Sequence, residues 1–170
     1  MFLGRTGTDR LRSKGENFST AFVEEIVLRY EGVINCVVIG IPQFDSTEND
    51  TPIYIVEVED PAGFDVGSFY AFCSGDAPPY ALPGFVRFVN ELPKTDTQKV
   101  QKPVLLNEFI ERTPARDADE NDMLYSVRDG VLQEFTTEDY RRAMGTCTDP
   151  MVRSRFVAVT KRNDLFEKNP

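Results

Sequence analysis

The chain has 170 residues and a net charge of −9, with three cysteines and no histidine. This acidic balance argues against unspecific binding to nucleic acid or anionic lipid, because both require a basic face. The lack of histidine excludes a Ser-His or Cys-His nucleophilic pair, an imidazole base and a His-ligated zinc ion. The length suits one domain with an appendage, or two small lobes.

Targeting and redox features predict a cytoplasmic protein, with peripheral attachment to membranes left open. No apolar run is long enough to span a membrane, and the first residues do not resemble a secretion signal. The widely spaced Cys36, Cys73 and Cys147 fit reduced, mostly buried thiols in place of a disulfide framework or a metal site. Neither a phosphate-binding loop nor a dinucleotide fingerprint is present, so we do not expect the chain to hold a nucleotide alone.

The first predicted elements are an extended segment around residues 10–12 and the helix that follows it. Ser19 or Thr20 caps this helix, and Gly32 is placed to end it. Apolar residues at helical spacing predict that one face of the helix is buried. The residues of this face are Phe22, Val23, Ile26, Val27 and Tyr30.

Three strands and a second helix are predicted next. The runs 33–41, 53–58 and 85–89 are rich in β-branched and aromatic residues, and Asp65 caps a short helix between the last two. The order helix, strand, strand, helix, strand predicts an α+β domain of roughly 110 residues. We expect a small mixed or antiparallel sheet flanked by helices, and we assign this domain to residues 1–112.

Residues 113–170 are predicted to form a linker and a short hairpin-plus-helix extension. A charged stretch without periodicity comes first, and residues 124–135 then read as two strands around a turn at Asp129-Gly130. A short helix is expected over residues 136–145. The last residues carry no pattern from which a role is predicted.

Residues 92–102 predict a tight loop that presents Lys99 to something outside the domain. Residues 96–98 are polar and turn-prone, and they follow the predicted strand at residues 85–89. A lysine ammonium on such a loop is a mobile point charge that pairs with phosphate or carboxylate. The loop by itself also fits an ordinary solvated turn, and Lys94 and Lys102 are expected to be solvated or ion-paired neighbours.

Two separated stretches, residues 4–25 and 80–102, together resemble the C-terminal domain of the adenylate-forming superfamily. This superfamily contains acyl-CoA synthetases, luciferases and peptide-synthetase adenylation domains. The first stretch supplies Gly4-Arg5, Asp9, Leu11-Arg12, Gly15 and Glu24 or Glu25. The second supplies Tyr80-Ala81-Leu82-Pro83, Leu92-Pro93-Lys94-Thr95 and Gln98-Lys99. The resemblance covers about residues 2–112.

Within the superfamily, the sequence is most similar to fatty-acid-transport proteins and very-long-chain acyl-CoA synthetases. The segments that carry this likeness are Lys14-Gly15-Glu16-Asn17, Ser19-Thr20, Val23-Glu24, Leu124-Tyr125 and Phe135–Tyr140. Two departures stand out. One extra residue between Arg5 and Asp9 puts Thr8 at the first hinge position, and Gln98 replaces the glycine before the lysine, which costs the loop backbone freedom.

The resemblance implies roles for individual residues. Lys99 matches the adenylation lysine, and Lys99 and Arg5 match the positions that bind ATP or the adenylate. Thr8 and Asp9 match the hinge about which such a domain turns between two half-reactions. The positions that face coenzyme A are matched by Arg12, Gly15, Glu16 and Asn17. A surface ion pair for Arg5, solvation for Arg12 and a simple turn for Gly15 are the alternatives.

The same resemblance implies a larger N-terminal adenylation domain, joined covalently or acting in trans. Its substrates are ATP, coenzyme A and a carboxylic acid, fatty or otherwise bulky and apolar. Mg²⁺ is expected with ATP, but bound outside this domain. Because Met1 lies almost at the hinge, we expect a piece cut at the natural boundary or a separately encoded half, inactive alone. A non-catalytic interaction or regulatory module, and the lid of an enzyme that acylates a carrier-protein thiol, remain alternatives.

Overall fold

The structure, a computed structural model, describes residues 10–42, 50–97, 99–102, 104–105 and 122–135. Two helices, a 3-10 turn and seven strands have their bounds within this part of the chain, and residues 102 and 104–105 are helical as well. In order they are β1 (Arg10–Ser13), β2 (Glu16–Ser19), α1 (Thr20–Leu28), β3 (Val33–Pro42), β4 (Asp50–Val58), α2 (Val66–Asp76), the 3-10 turn (Pro79–Ala81), β5 (Phe85–Val89), β6 (Asp122–Arg128) and β7 (Val131–Glu134).

The strands form two sheets. β1 and β2 are an antiparallel pair, and the larger sheet has the order β3-β4-β5-β6-β7. In the larger sheet β4 and β5 run parallel, and the other described pairs are antiparallel. The parallel pair requires a crossover, and α2 lies in that connection. A mixed sheet flanked by helices confirms the predicted α+β class.

The larger sheet separates two apolar clusters. Because side chains alternate along a strand, Ile53 and Ile55 of β4 face one cluster while Tyr54 and Val56 face the other. Buried residues of α1 and α2 join the second cluster. The first cluster is completed by leucines on either side of the Lys99 loop, namely Leu92 and Leu105. The loop is therefore rooted in the core at both of its ends.

The first helix confirms most of its predicted buried face. Its buried residues are Thr20, Val23, Ile26 and Val27. The prediction for Phe22 was wrong, because this side chain is 46% exposed. One residue turns a helix by about 100°, so the position before Val23 leaves the buried stripe. The helix ends at Leu28, and the predicted stop at Gly32 lies in the turn before β3, with φ +94°.

Two hairpins use the same kind of two-residue turn. Lys14 and Gly15 have φ of +50° and +80°, and Asp129 and Gly130 have φ of +51° and +74°. Positive φ at both central residues is the mark of a type I′ turn, whose twist matches that of the flanking strands. The hairpin predicted over residues 124–135 is confirmed.

The described part of the C-terminal extension belongs to the larger sheet. β6 pairs with β5, and a two-pronged ion pair joins them: Arg87 Nε lies 2.8 Å from Asp122 Oδ1, and Nη2 lies 2.7 Å from Oδ2. This geometry suits a partly buried pair. The helix predicted over residues 136–145 lies outside the described residues, and the domain boundary at residue 112 stays a prediction. Neither described helix has the length and hydropathy needed to cross a membrane.

Candidate functional site

A tight loop holds Lys99 close to Thr95. The Thr95 N–H donates to the Lys99 carbonyl at 2.8 Å, and the Lys99 N–H donates back to Thr95 Oγ1 at 3.2 Å. Lys94 and Val100 form an antiparallel bridge at the base of the loop. The Thr97 hydroxyl lies 2.9 Å from that of Thr95. The predicted loop is confirmed, and its backbone direction at Lys99 is set by these contacts.

The ammonium of Lys99 differs from those of its two neighbours. Lys94 Nζ lies 3.9 Å from Glu57 Oε2, and Lys102 Nζ lies 3.5 Å from Glu24 Oε1, so both are ion-paired as expected. Lys99 is exposed, and its side chain has no hydrogen-bond or ion-pair partner among the residues that the structure describes. Its charge is therefore available to an anion from outside the domain.

The loop is anchored where it leaves β5. The Leu92 N–H donates to the buried carboxylate of Glu57 at 2.9 Å, while the Leu92 side chain enters the first apolar cluster. The Gln101 N–H donates to the Pro93 carbonyl at 3.1 Å and closes the base of the loop. The Leu92 contact is buried and that of Gln101 half-buried, so both satisfy backbone groups that would otherwise lose hydrogen bonds to water.

The four residues predicted to face coenzyme A all lie on the β1–β2 hairpin. Arg12 lies opposite Asn17 in the strand register, and Gly15 and Glu16 occupy the turn and the residue after it. The Arg12 N–H donates to Asp50 Oδ2 at 3.2 Å, which ties the hairpin to β4. A Cβ at Gly15 would meet nothing within 4 Å, so positive φ is the local requirement for glycine there.

Apolar packing holds this hairpin against the rest of the fold. A Cβ at Gly40 of β3 would lie 2.5 Å from the Leu11 side chain, so glycine leaves the space that the leucine fills. The rings of Phe18 and Tyr80 pack with centroids 5.6 Å apart. Both contacts leave the turn itself in solvent.

The structure gathers the predicted site residues into two sets, and it does not describe the rest. The hairpin carries the residues predicted to face coenzyme A, and the tight loop carries Lys99. Arg5, Thr8 and Asp9 lie outside the described residues. The sequence predicted no role for Thr95, whose hydroxyl accepts from the Lys99 N–H and closes the loop. The threonine does belong to the Leu92-Pro93-Lys94-Thr95 motif, four residues before the lysine.

The described thiols are poor nucleophiles. Burial raises the pKa of the Cys36 thiol well above its usual value, and the neighbouring Glu24 carboxylate raises it further. Burial also raises the pKa of Cys73 to about 12. Both are buried and unpaired with other cysteines, as the sequence predicts, and Cys147 lies outside the described residues. Within the described ranges no group of three His, Cys, Asp or Glu side chains is arranged to hold a metal ion.

Comparison with known proteins identifies a region that ends at Lys99. The family described as AMP-binding enzyme C-terminal domain matches residues 23–99. A medium/long-chain-fatty-acid–CoA ligase of Mycobacterium marinum is 38% identical over 112 residues, which cover 65% of this chain and 22% of the relative. A steroid-22-oyl-CoA synthetase of Rhodococcus jostii is 35% identical over 150 residues, which cover 83% and 26%. The chain thus spans about a quarter of the length of these curated relatives.

Solved structures give the same result. A fatty acyl CoA synthetase of Mycobacterium tuberculosis matches with a TM-score of 0.53 and 28% identity, over 59% of this chain and 20% of that chain. Apo MatB from Rhodopseudomonas palustris matches with a TM-score of 0.52 and 28% identity, over 58% and 19%. Residues 23–99 therefore form a domain of the AMP-binding enzyme C-terminal domain family, the C-terminal domain of adenylate-forming enzymes.

Proposed function

We propose that this domain is the lid of an ATP-dependent acyl-CoA synthetase, an acid–thiol ligase, and that Lys99 is its adenylation cation. The observation that carries the proposal is the exposed Lys99 ammonium, which has no side-chain partner among the described residues while both neighbouring lysines are ion-paired. The names of the relatives, which are acyl-CoA ligases, support the same activity.

The first half-reaction requires such a cation. A carboxylate attacks the α-phosphate of ATP to form an acyl-adenylate, and pyrophosphate leaves. Two negative groups approach each other, and charge develops further in the transition state. A lysine held between them lowers this barrier electrostatically, and a single donor of this kind is worth roughly 10²–10³ in rate. An N-terminal adenylation domain, which this chain would serve as a lid, would supply the nucleotide and acyl sites.

The second half-reaction would use the hairpin. The thiol of coenzyme A attacks the acyl-adenylate, and AMP leaves. Arg12, Gly15, Glu16 and Asn17 would line the approach of the coenzyme, and the open space around Gly15 suits a passing chain. Arg5 would contact the adenylate, and Thr8 and Asp9 would form the hinge that exchanges the two faces.

The acid that we propose is fatty or otherwise bulky and apolar. Relatives named for medium- or long-chain fatty acids and for a steroid acid support this class. Mg²⁺ would enter with ATP and be held outside this domain. The acceptor could instead be a carrier-protein thiol, which acylation of a carrier in preference to free coenzyme A would reveal.

Acid-dependent exchange between ATP and pyrophosphate tests the proposal. The chain is joined to the adenylation domain of a relative, and Lys99→Ala is expected to lower exchange by about two orders of magnitude. Arg29→Ala removes an exposed cation from the end of α1 and should leave exchange unchanged.

Two outcomes would contradict the proposal. Robust exchange with an unaffected Lys99→Ala variant would remove the lysine from catalysis and leave the domain as a lid or docking piece. If the wild-type joined enzyme shows no exchange between ATP and pyrophosphate with any acid of a broad panel, a non-catalytic interaction module would be favoured.

A further inference from the structure

Lys102, three residues beyond Lys99, lies against the first turns of α1. Its Nζ donates to Thr20 Oγ1 at 3.2 Å and lies 3.5 Å from Glu24 Oε1. The Lys102 side chain is 17% exposed and that of Glu24 is 22% exposed, so water screens this pair less than an ordinary surface pair.

Glu24 connects the same contact to the sheet. Its Oε1 also accepts a hydrogen bond at 3.0 Å from the Val38 N–H of β3. A carboxylate that holds both a strand amide and a lysine has little freedom of its own. Lys102 is therefore tied to a point that two secondary-structure elements fix.

This tie limits the position of Lys99. Three residues of chain span at most roughly 10 Å, so holding Lys102 limits how far the Lys99 backbone can move from α1. On the other side of the loop, Glu57 holds the Leu92 N–H. Two glutamates from different elements thus hold the two ends of the loop that presents the ammonium.

We propose that Lys102 is a positioning residue, which acts with Glu24 and Thr20 to fix the Lys99 loop on α1. Its catalytic consequence rests on the proposed function, whereas the anchoring is a property of this chain. Such anchoring would favour catalysis by an ammonium that must lie between two anions. Misplacement by about 1 Å costs as much as 10²-fold in rate.

Hydrogen exchange on the full chain tests the anchoring without any activity. In Lys102→Met, the Thr95 and Gln101 amides, which are hydrogen-bonded within the loop, are expected to exchange roughly tenfold faster. Glu24→Gln keeps an acceptor for Val38 and removes the charge, so it should act in the same direction. Lys102→Arg should restore protection. Arg29→Met is the control, since it removes an exposed cation at the end of α1, outside the loop.

Two results would overturn the anchoring. If the loop amides exchange at the wild-type rate in both Lys102→Met and Glu24→Gln, Lys102 does not anchor the loop. Equal acceleration of the β4 amides would mean that Lys102 supports the whole fold and not the loop.

The joined enzyme tests the catalytic consequence. Lys102→Met should lower the kcat of adenylation about tenfold with little change in the KM for ATP, and Lys102→Arg should restore it. A rise in KM at constant kcat would contradict positioning, because it would mean uniform loss of binding. If the wild-type joined enzyme shows no exchange between ATP and pyrophosphate, the proposed function fails. Amide hydrogen exchange on the full chain still decides whether Lys102 anchors the loop.

Discussion

The Lys99 loop and the β1–β2 hairpin present their exposed residues by different means. Between its buried leucines, the loop is shaped by directional polar contacts through Thr95, Glu57 and Glu24. The hairpin is held mainly by the packing of Leu11 and by a type I′ turn, with one hydrogen bond from the Arg12 N–H to Asp50. Hydrogen bonds have preferred angles as well as distances, so they set the backbone from which Lys99 projects, whereas apolar packing supports the broader surface of a two-stranded hairpin. This difference would suit the roles proposed above, a point charge on the loop and a binding surface on the hairpin.

The largest expected effect breaks the hairpin. Leu11→Ala removes a buried side chain that fills the space beside Gly40, and we expect the free energy of unfolding to fall by about 3 kcal/mol. Urea denaturation measures this change. Leu28→Ala, at an exposed leucine of α1, should change stability by less than about 0.5 kcal/mol. Equal effects of the two variants would show that the hairpin is not held by packing.

The loop and the hairpin are expected to serve different half-reactions. Lys99→Ala should lower adenylation about 100-fold, equivalent to about 2.7 kcal/mol, and leave thioester formation from supplied acyl-adenylate nearly unchanged. Arg12→Ala should lower thioester formation about tenfold and leave adenylation unchanged. Rapid-quench measurement of each half-reaction in the joined enzyme tests both. Loss of both half-reactions in both variants would contradict two separate surfaces.

A smaller effect is expected at the hairpin turn. Gly15→Ala meets no atom, so its cost comes from a positive φ alone, about 1 kcal/mol in the free energy of unfolding. Gly75→Ala in α2 also meets no atom but lies in a helix, so thermal denaturation should show it to be neutral or more stable by up to about 1 kcal/mol. If both variants changed the free energy of unfolding in the same direction, backbone strain at Gly15 would not be the cause of its effect.

The smallest expected effect comes from removing the Thr95 hydroxyl, which accepts a hydrogen bond within the loop. Thr95→Val keeps the shape of the side chain but removes the acceptor for the Lys99 N–H. We expect this amide to exchange about threefold faster, since an exposed hydrogen bond contributes about 0.5–1 kcal/mol. Thr95→Ser keeps the hydroxyl and should exchange as the wild type does. Slow exchange in Thr95→Val would mean that the backbone contacts suffice.

Local patterns predicted the elements that local chemistry decides. Asp129-Gly130 between two apolar runs marked a hairpin, and a polar, turn-prone segment marked the Lys99 loop. The β1–β2 hairpin was predicted only as an extended piece, because Lys14 carries no signal for positive φ. The apolar spacing around Phe22 gave a face that is wider than the buried stripe.

Contacts between distant residues left no trace in those patterns. Lys102 and Thr20 are 82 positions apart, and Arg87 and Asp122 are 35 apart. Each pair depends on which elements become neighbours in the fold, which no local periodicity encodes. The candidate roles on the loop and the hairpin came from motif resemblance, and the residues that support Lys99 came from the folded arrangement.

The pairing of β6 with β5 has a consequence for where the chain can be shortened. All five residues of β5 are buried, and its two neighbours satisfy the backbone on both sides. A protein that stopped at residue 112 would turn β5 into an open edge, and Arg87 would lose the carboxylate of Asp122. Open apolar edges recruit strands from other molecules. A soluble fragment for crystallisation or labelling therefore has to extend through Phe135.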